Sequence, residues 1–164
     1  MRTTNTHIFF WGGEFSNWHP CKFSHKHIEF DNTEQTFMWE KALHFRDTKI
    51  ANQILRTSDP KECKRLGKLV KGFDVEQWMI NSFTIMVGAN YNKYTQNEDL
   101  KQILLSTGDK TIVEASPYDK IWGIGLGLDN DDCLDETKWQ GMNLLGKALM
   151  VVRKTIKEEN EKDN

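Results

Sequence analysis

Glu34 and Lys41 are an acid and an amine on the apolar side of a predicted helix. In the stretch NTEQTFMWEKALHF, residues 32–45, successive side chains turn by about 100°. Glu34, Phe37, Met38, Lys41 and Phe45 then share about one third of the circumference. Trp39, Ala42 and Leu43 form a second apolar side. Thr36, Glu40, His44 and Asp47 form the polar edge, where a solvated Glu40 belongs. Glu34 and Lys41 are two turns apart, roughly 10 Å along a straight helix. An unpaired charge in a core is costly. Either each charge finds a partner elsewhere, with Lys41 reaching out along its stem, or this face lines a cleft.

Other residues offer weaker chemistry. Six tryptophans, 11, 18, 39, 78, 122 and 139, are many for 164 residues. Trp39 and Trp78 fit helix stripes and read first as core. Trp18 and Trp122 sit beside polar turns, where an indole can stack on a base. Gly123, Gly125 and Gly127 alternate, but no GxGxxG pattern leads into a helix, so a dinucleotide fold is not supported. Alternating glycines instead suggest close approach of a backbone or ligand. Asp119 follows Pro117-Tyr118 and reads equally as a turn cap. Residues 61–71 hold five bases and one acid, a face that would take phosphates or simply be solvated. The acidic loop Asp129 to Glu136 fails as a calcium loop, with Leu134 at the glycine position and Gln140 at the final acid. His25-Lys26-His27 lacks further ligands, so no metal site is expected. No GxSxG, P-loop or HExxH occurs.

These residues must be carried by an ordinary small domain. The length suggests one domain, assigned to residues 1–157, followed by a charged, frayed tail, 158–164. A hydrophobic fraction of 38% is low, but 9 Phe, 6 Trp and 6 Met fill a core in small numbers. A net charge of −2 gives no global basicity for nucleic acid or membrane. No apolar run approaches the roughly 20 residues of a membrane span, and the start lacks the h-region of a signal peptide. Three scattered cysteines, Cys21, Cys63 and Cys133, fit reduced thiols in a cytoplasmic protein.

The pattern along the chain predicts a mostly α-helical α+β domain with a small β-sheet. His7 to Trp11 reads as a strand ended by Gly12-Gly13. Cys21 to Phe23 and His27 to Phe30 read as a hairpin. A helix follows from Thr33 to about Leu55, capped by Asn32 with Gln35 in the capping-box position. Asp59-Pro60 starts a helix ending near Gly72. Asp74 starts another, with Val75, Trp78, Met79, Phe83, Met86, Val87, Tyr91 and Tyr94 at helical spacing. A short helix runs from Asn97 to Leu105, closed by Gly108. Strands are expected at Thr111 to Ala115 and Lys120 to Gly125, and a last helix at Leu144 to about Ile156.

An ordered series of motifs resembles the NADAR, or YbiA-like, family. It comprises Glu14-Phe15-Ser16-Asn17-Trp18, Thr33-Glu34-Gln35 with Lys41, and Gly67-Lys68-Leu69-Val70-Lys71-Gly72-Phe73-Asp74. It continues through Trp78, Lys93-Tyr94-Thr95-Gln96-Asn97, Leu104 to Gly108, Val113 to Ser116, Asp119-Lys120-Ile121-Trp122-Gly123 and Trp139 to Gly146. The series covers about residues 9 to 153. Trp18 and Tyr94 replace the usual phenylalanines and keep an aromatic ring.

The resemblance implies a compact, mostly helical hydrolase of N-glycosidic bonds that needs no cofactor and no metal. Two substrate groups go with it: ADP-ribose on guanine in DNA, and aminopyrimidine ribose phosphates of the riboflavin pathway. It implies catalytic roles for Glu34, Lys41 and Asp119. Ligand contacts are expected from Ser16, Asn17, Trp18, Trp78, Lys93, Trp122, Gly123 and Asn143. Breaking a C1–N bond gives the ribose oxocarbenium character. A carboxylate at C1, Glu34 first, stabilises that charge or takes a proton from water. Asp119 would orient the ribose hydroxyls or assist the departing base. Lys41 would hold a phosphate or hydroxyl, or attack C1 to form a Schiff base. A non-catalytic module binding ADP-ribose or NAD is the alternative from another class. Oligomeric state is not legible, and no membrane contact is expected.

Overall fold

The computed structural model describes residues 1–162. Two compact units emerge: Met1–Ser16 with the chain from Asp99 onward, and Asn17–Glu98. The predicted class holds. Among the described residues there are six α-helices and two small sheets.

The first unit is built on a three-stranded sheet of β1 (Arg2–Thr3), β2 (His7–Phe10) and β5 (Thr111–Glu114), in the order β1-β2-β5. β1 runs antiparallel to β2. β2 runs parallel to β5, with Ile8 opposite Ile112 and Phe9 opposite Val113. A parallel pair needs a long crossover, and here the crossover contains the whole second unit. Gly12 and Gly13, at φ +84 and +72, end β2 as expected. Phe9, Val113, Ala115, Ile124, Leu126 and Cys133 form the core on this sheet. α5 (Glu98–Ser106) precedes β5 and stops before Gly108 at φ +61. α6 (Leu144–Lys162) packs on β5. It runs beyond Ile156 and takes in residues 158–162 of the segment expected to fray; Asp163 and Asn164 lie outside the described residues.

One predicted strand is absent. Residues 120–125 form turns, because Asp119 Oδ1 accepts the backbone N–H groups of Ile121 and Trp122 at 2.9 and 2.8 Å. Gly125, at φ +72, then leaves the extended region. What remains of the pairing is Ile124 N–H to the Glu114 carbonyl, 3.0 Å.

The second unit opens with the hairpin β3 (Phe23–His25) and β4 (Ile28–Phe30). Lys26 and His27 both take positive φ, 49° and 65°, as a tight two-residue hairpin turn requires. α1 (Thr33–His44) follows, with Asn32 accepting from Gln35 N–H at 2.8 Å. The Gln35 side chain accepts from Asp31 N–H, 2.8 Å, and donates to the carbonyls of Ile54 and Thr57. The predicted single helix to Leu55 is broken into two. Arg46 turns to φ +60 and Asp47 caps α2 (Thr48–Ile54), accepting from Ile50 N–H at 3.1 Å. α3 (Pro60–Gly67) starts on the Asp59 cap but stops near Gly67 rather than Gly72. α4 (Val75–Thr95) is capped by Asp74. α2, α3 and α4 all pack against α1.

That packing overturns the expected polar edge at Thr36 and Glu40, while His44 stays exposed. Every side chain from Thr33 to Glu40 is buried, and Glu40 is only 6% exposed. The hairpin supplies its partners. His25 Nε2 lies 2.6 Å from Glu40 Oε1, and Lys26 Nζ donates to the same carboxylate at 2.7 Å. Asn92 donates to His25 Nδ1 at 2.7 Å, which directs the ring proton on Nε2 toward Glu40. Burial pushes the Glu40 carboxyl up, but the hydrogen bonds from His25 and Lys26 outweigh it and hold the group below its ordinary 4.5.

Two measurements check this account. Glu40 contributes stability that is present above about pH 4.5 and lost as pH falls through its lower folded value. Glu40→Gln should therefore flatten the loss of melting temperature in that acid range while lowering the plateau above it. In the other unit, a Cβ on Gly146 would overlap the Ile112 carbonyl oxygen of β5. Gly146→Ala should cost about 3 kcal/mol, read as a melting temperature lower by roughly 6–12 °C.

Candidate active site

The second unit brings Glu34 and Lys41 together. Glu34 lies in the first turn of α1 and is 8% exposed; its backbone N–H donates to the Asn17 carbonyl at 2.9 Å. Lys41 lies in the last turn and is half-buried. Burial lowers the Lys41 ammonium's hold on its proton, and the Glu34 carboxylate opposes the fall. Burial wins, so the amine is easier to deprotonate than an ordinary lysine. Its Nζ stands 4.3 Å from the centre of the Phe73 ring.

An aromatic wall surrounds this end of α1. The Trp78 ring is 5.1 Å from Phe37, 5.9 Å from His44 and 6.2 Å from Phe45, and Phe45 meets Phe73 at 5.3 Å. Trp78 is 7% exposed, so most of its face is spent on these neighbours. Cys63, fully buried on α3, also feels Glu34. Burial first, then the Glu34, Asp59 and Glu62 carboxylates, push its thiol up to about 12, so it stays protonated beside the acid. Phe45 stands on the Glu34 face, Phe73 in the family motif and Cys63 among the scattered thiols of the sequence, but none of them is assigned to the site from sequence alone. A phenylalanine directly after a glycine and before the Asp74 helix cap was the available signal for Phe73.

Of the other expected ligand contacts in this unit, Asn17 and Lys93 are buried. The Asn17 amide donates to Met86 Sδ at 3.3 Å and accepts from Asn90 at 3.4 Å. Lys93 is 0% exposed, with Nζ 5.0 Å from the Tyr94 ring centre. It is an interior side chain near Cys21. Trp18 stays open, 42% exposed.

The remaining candidates belong to the first unit. Ser16 is half-buried, with its N–H on the Gly13 carbonyl at 3.0 Å. Asp119 caps its own turn through Oδ1, and Ser116 Oγ accepts from the N–H groups of Tyr118 and Asp119. Trp122 is half-buried and held in that turn. Gly123 is closely packed: a Cβ there would stand 2.9 Å from Ser116 Cβ and 3.0 Å from two backbone oxygens. The Asn143 side chain is committed to β5. It accepts from Glu114 N–H at 3.0 Å and donates to the Ile112 carbonyl at 2.9 Å.

Comparison with known proteins bears on the family and the fold. A mimivirus of Acanthamoeba polyphaga has a relative named N-glycosidase R617, 40% identical, covering 96% of this chain and 98% of that one. The Caenorhabditis elegans protein irg-1 is 39% identical over 87% of this chain and 74% of its own length. The NMR structure of the E. coli protein YbiA superposes with a TM-score of 0.79 at 26% identity, covering 97% of this chain and 89% of that one. Among the described residues no helix is long and apolar enough to cross a membrane. The NADAR domain model matches residues 9–157, and the chain belongs to the NADAR family.

Proposed function

We propose that this hydrolase of N-glycosidic bonds cleaves ribose C1 from a base nitrogen using Glu34 and Lys41, and that its substrate is ADP-ribose carried on guanine in DNA. The observation that carries the catalytic part is the pairing on α1. A carboxylate 8% exposed shares a helix face with an amine whose ammonium is disfavoured by burial.

The chemistry follows from where charge develops. As the C1–N bond lengthens, its electron pair goes to the base nitrogen and positive charge spreads over C1 and the ring oxygen. The Glu34 carboxylate stabilises that charge. It then takes a proton from the water that adds to C1, while the base nitrogen gains one. Two roles are open to Lys41. As an ammonium it holds a substrate oxygen. As a neutral amine it attacks C1, expels the base and, after the sugar opens, is left as a Schiff base that water hydrolyses. The lowered proton affinity of Lys41 favours the second role.

The choice of DNA rests on the family resemblance together with α3. Lys61, Lys64 and Lys68 lie three and four residues apart, on one helix face. All three are exposed, and none forms an ion pair among the described residues. Arg65 beside them is held by Glu62 at 2.7 Å. Asp119 supports the reading less directly, because its substitution would disturb its turn as well as remove a charge.

Glu34→Gln should lower turnover roughly 100- to 10,000-fold with the fold intact; near-wild-type base release would remove Glu34 from the mechanism. Borohydride added during turnover should trap a substrate adduct that peptide mapping places on Lys41 and that Lys41→Ala abolishes. Absence of the adduct with Lys41→Ala still active leaves the carboxylate route alone. A parallel assay of ADP-ribosylated guanine DNA against aminopyrimidine ribose phosphates decides the substrate. With DNA, log affinity should fall with log salt by about 0.9 per phosphate engaged. A weak salt response with preferred turnover of the small phosphates gives the riboflavin-type reading, and binding without base release gives the non-catalytic module.

A further inference from the structure

Phe73 sits in the connection between α3 and α4, and that connection is pinned on both sides of it. Before it, Lys71 N–H donates to Asp47 Oδ2 at 3.0 Å, so the residue that caps α2 also holds this loop. After it, Asp74 caps α4, accepting from Gln77 N–H at 2.9 Å. Gly72, between the two anchors, takes φ +72, a conformation that L side chains rarely adopt. The nearest atom to a Cβ there would be the Phe45 carbonyl oxygen at 3.8 Å, an ordinary contact, so the backbone conformation rather than space calls for glycine.

This turn carries the Phe73 ring onto the end of α1. The ring meets Phe45 edge to face at 69° and presents its own face to Lys41 Nζ, 4.3 Å from the centroid. It remains 45% exposed. A phenylalanine kept for the hydrophobic effect alone would hide more of its surface. The part that is covered faces Phe45 and the amine. The charge acting on Lys41 is Glu34 from its own helix, and Phe73 from the α3–α4 connection adds none. Cys63, the titratable group on α3 that faces Glu34, is a protonated thiol.

We propose that Phe73 is the positioning residue for Lys41: its ring, held by the Asp47 and Asp74 anchors, seats the amine on the Glu34 side of α1 and shields it from water. The ring acts in two opposed ways. Its apolar bulk excludes water, which disfavours the ammonium. Its negative face attracts the ammonium, which favours it. Together they keep Lys41 in place in either protonation state, which serves either role open to it. The proposal rests on Lys41 being the functional amine, but its test reads Lys41 directly and not turnover.

The test is NMR titration of protein carrying carbon-13 at lysine Cε, with the Lys41 signal assigned by its loss in Lys41→Arg. Phe73→Leu keeps an apolar cover and loses the ring face, so Lys41 should titrate lower, by about half a pH unit. Phe73→Ala also loses the ring face but admits water, and burial is the larger influence on Lys41, so Lys41 should titrate higher than in wild type. Phe73→Tyr keeps both effects and should stay near wild type. Opposite shifts from Leu and Ala, with the melting temperature recorded for each, support the proposal. Titration unchanged in both Leu and Ala variants, with at most a change in melting temperature, overturns it and leaves Phe73 as packing against Phe45. If the shifts appear while Lys41→Ala remains active, the positioning stands and the catalytic role of Lys41 falls. If Lys41→Ala is inactive but the shifts are absent, the reverse holds.

Discussion

The rest of the second unit depends on one constraint: α1 has no solvent face over its first eight residues. Thr33 through Glu40 are all buried, so each polar group among them must be matched inside the protein or bear a large desolvation cost. The surrounding elements supply most of the matches; Thr33 Oγ1 is buried without a hydrogen-bond partner among the described residues. Asn32 and Gln35 tie the helix start to Asp31 and to the carbonyls that end α2. The β3–β4 hairpin brings His25 and Lys26 to Glu40, and α4 brings Asn92 to His25. The tight positive-φ turn of the hairpin is what sets two cationic or donor side chains close enough to reach one buried carboxylate.

Within that helix two carboxylates six residues apart meet opposite fates. Glu40 is surrounded by donors that hold it ionised, and its charge is spent on architecture. Glu34 has an amine on its face that burial makes easy to deprotonate and a thiol that its own charge helps keep protonated. The first arrangement lowers free energy and fixes the hairpin. The second leaves a carboxylate and an amine on one side of the helix, the pair on which the proposed hydrolysis rests.

The first unit shows the same economy in its turns. Asp119 and Asn143 read as functional in the sequence through the family motif. The carboxylate caps residues 121 and 122, and the amide clamps β5 to the start of α6. Both side chains shape the segment that carries Trp122, whatever further part Asp119 takes.

The sequence alone was enough for the class of fold, for most helix starts and for the oddity of Glu34 and Lys41. Those features are local: caps, spacing and glycine conformations act within a few residues, and periodicity marks which charges sit out of place. It misjudged the continuity of α1 and α2, the strand at residues 120–125 and the solvation of Glu40. In each case a distant or side-chain partner outweighed the local pattern: Asp47 capping a new helix, Asp119 capturing two N–H groups, the hairpin covering a polar edge. Tertiary structure alone decided which carboxylate is architectural and which stands beside an available amine. Burial and the identity of facing groups set proton affinity, and neither is fixed by sequence neighbours. It also placed Phe73 over Lys41, because a loop's reach across a helix end depends on distant anchors such as Asp47 as well as on its own residues.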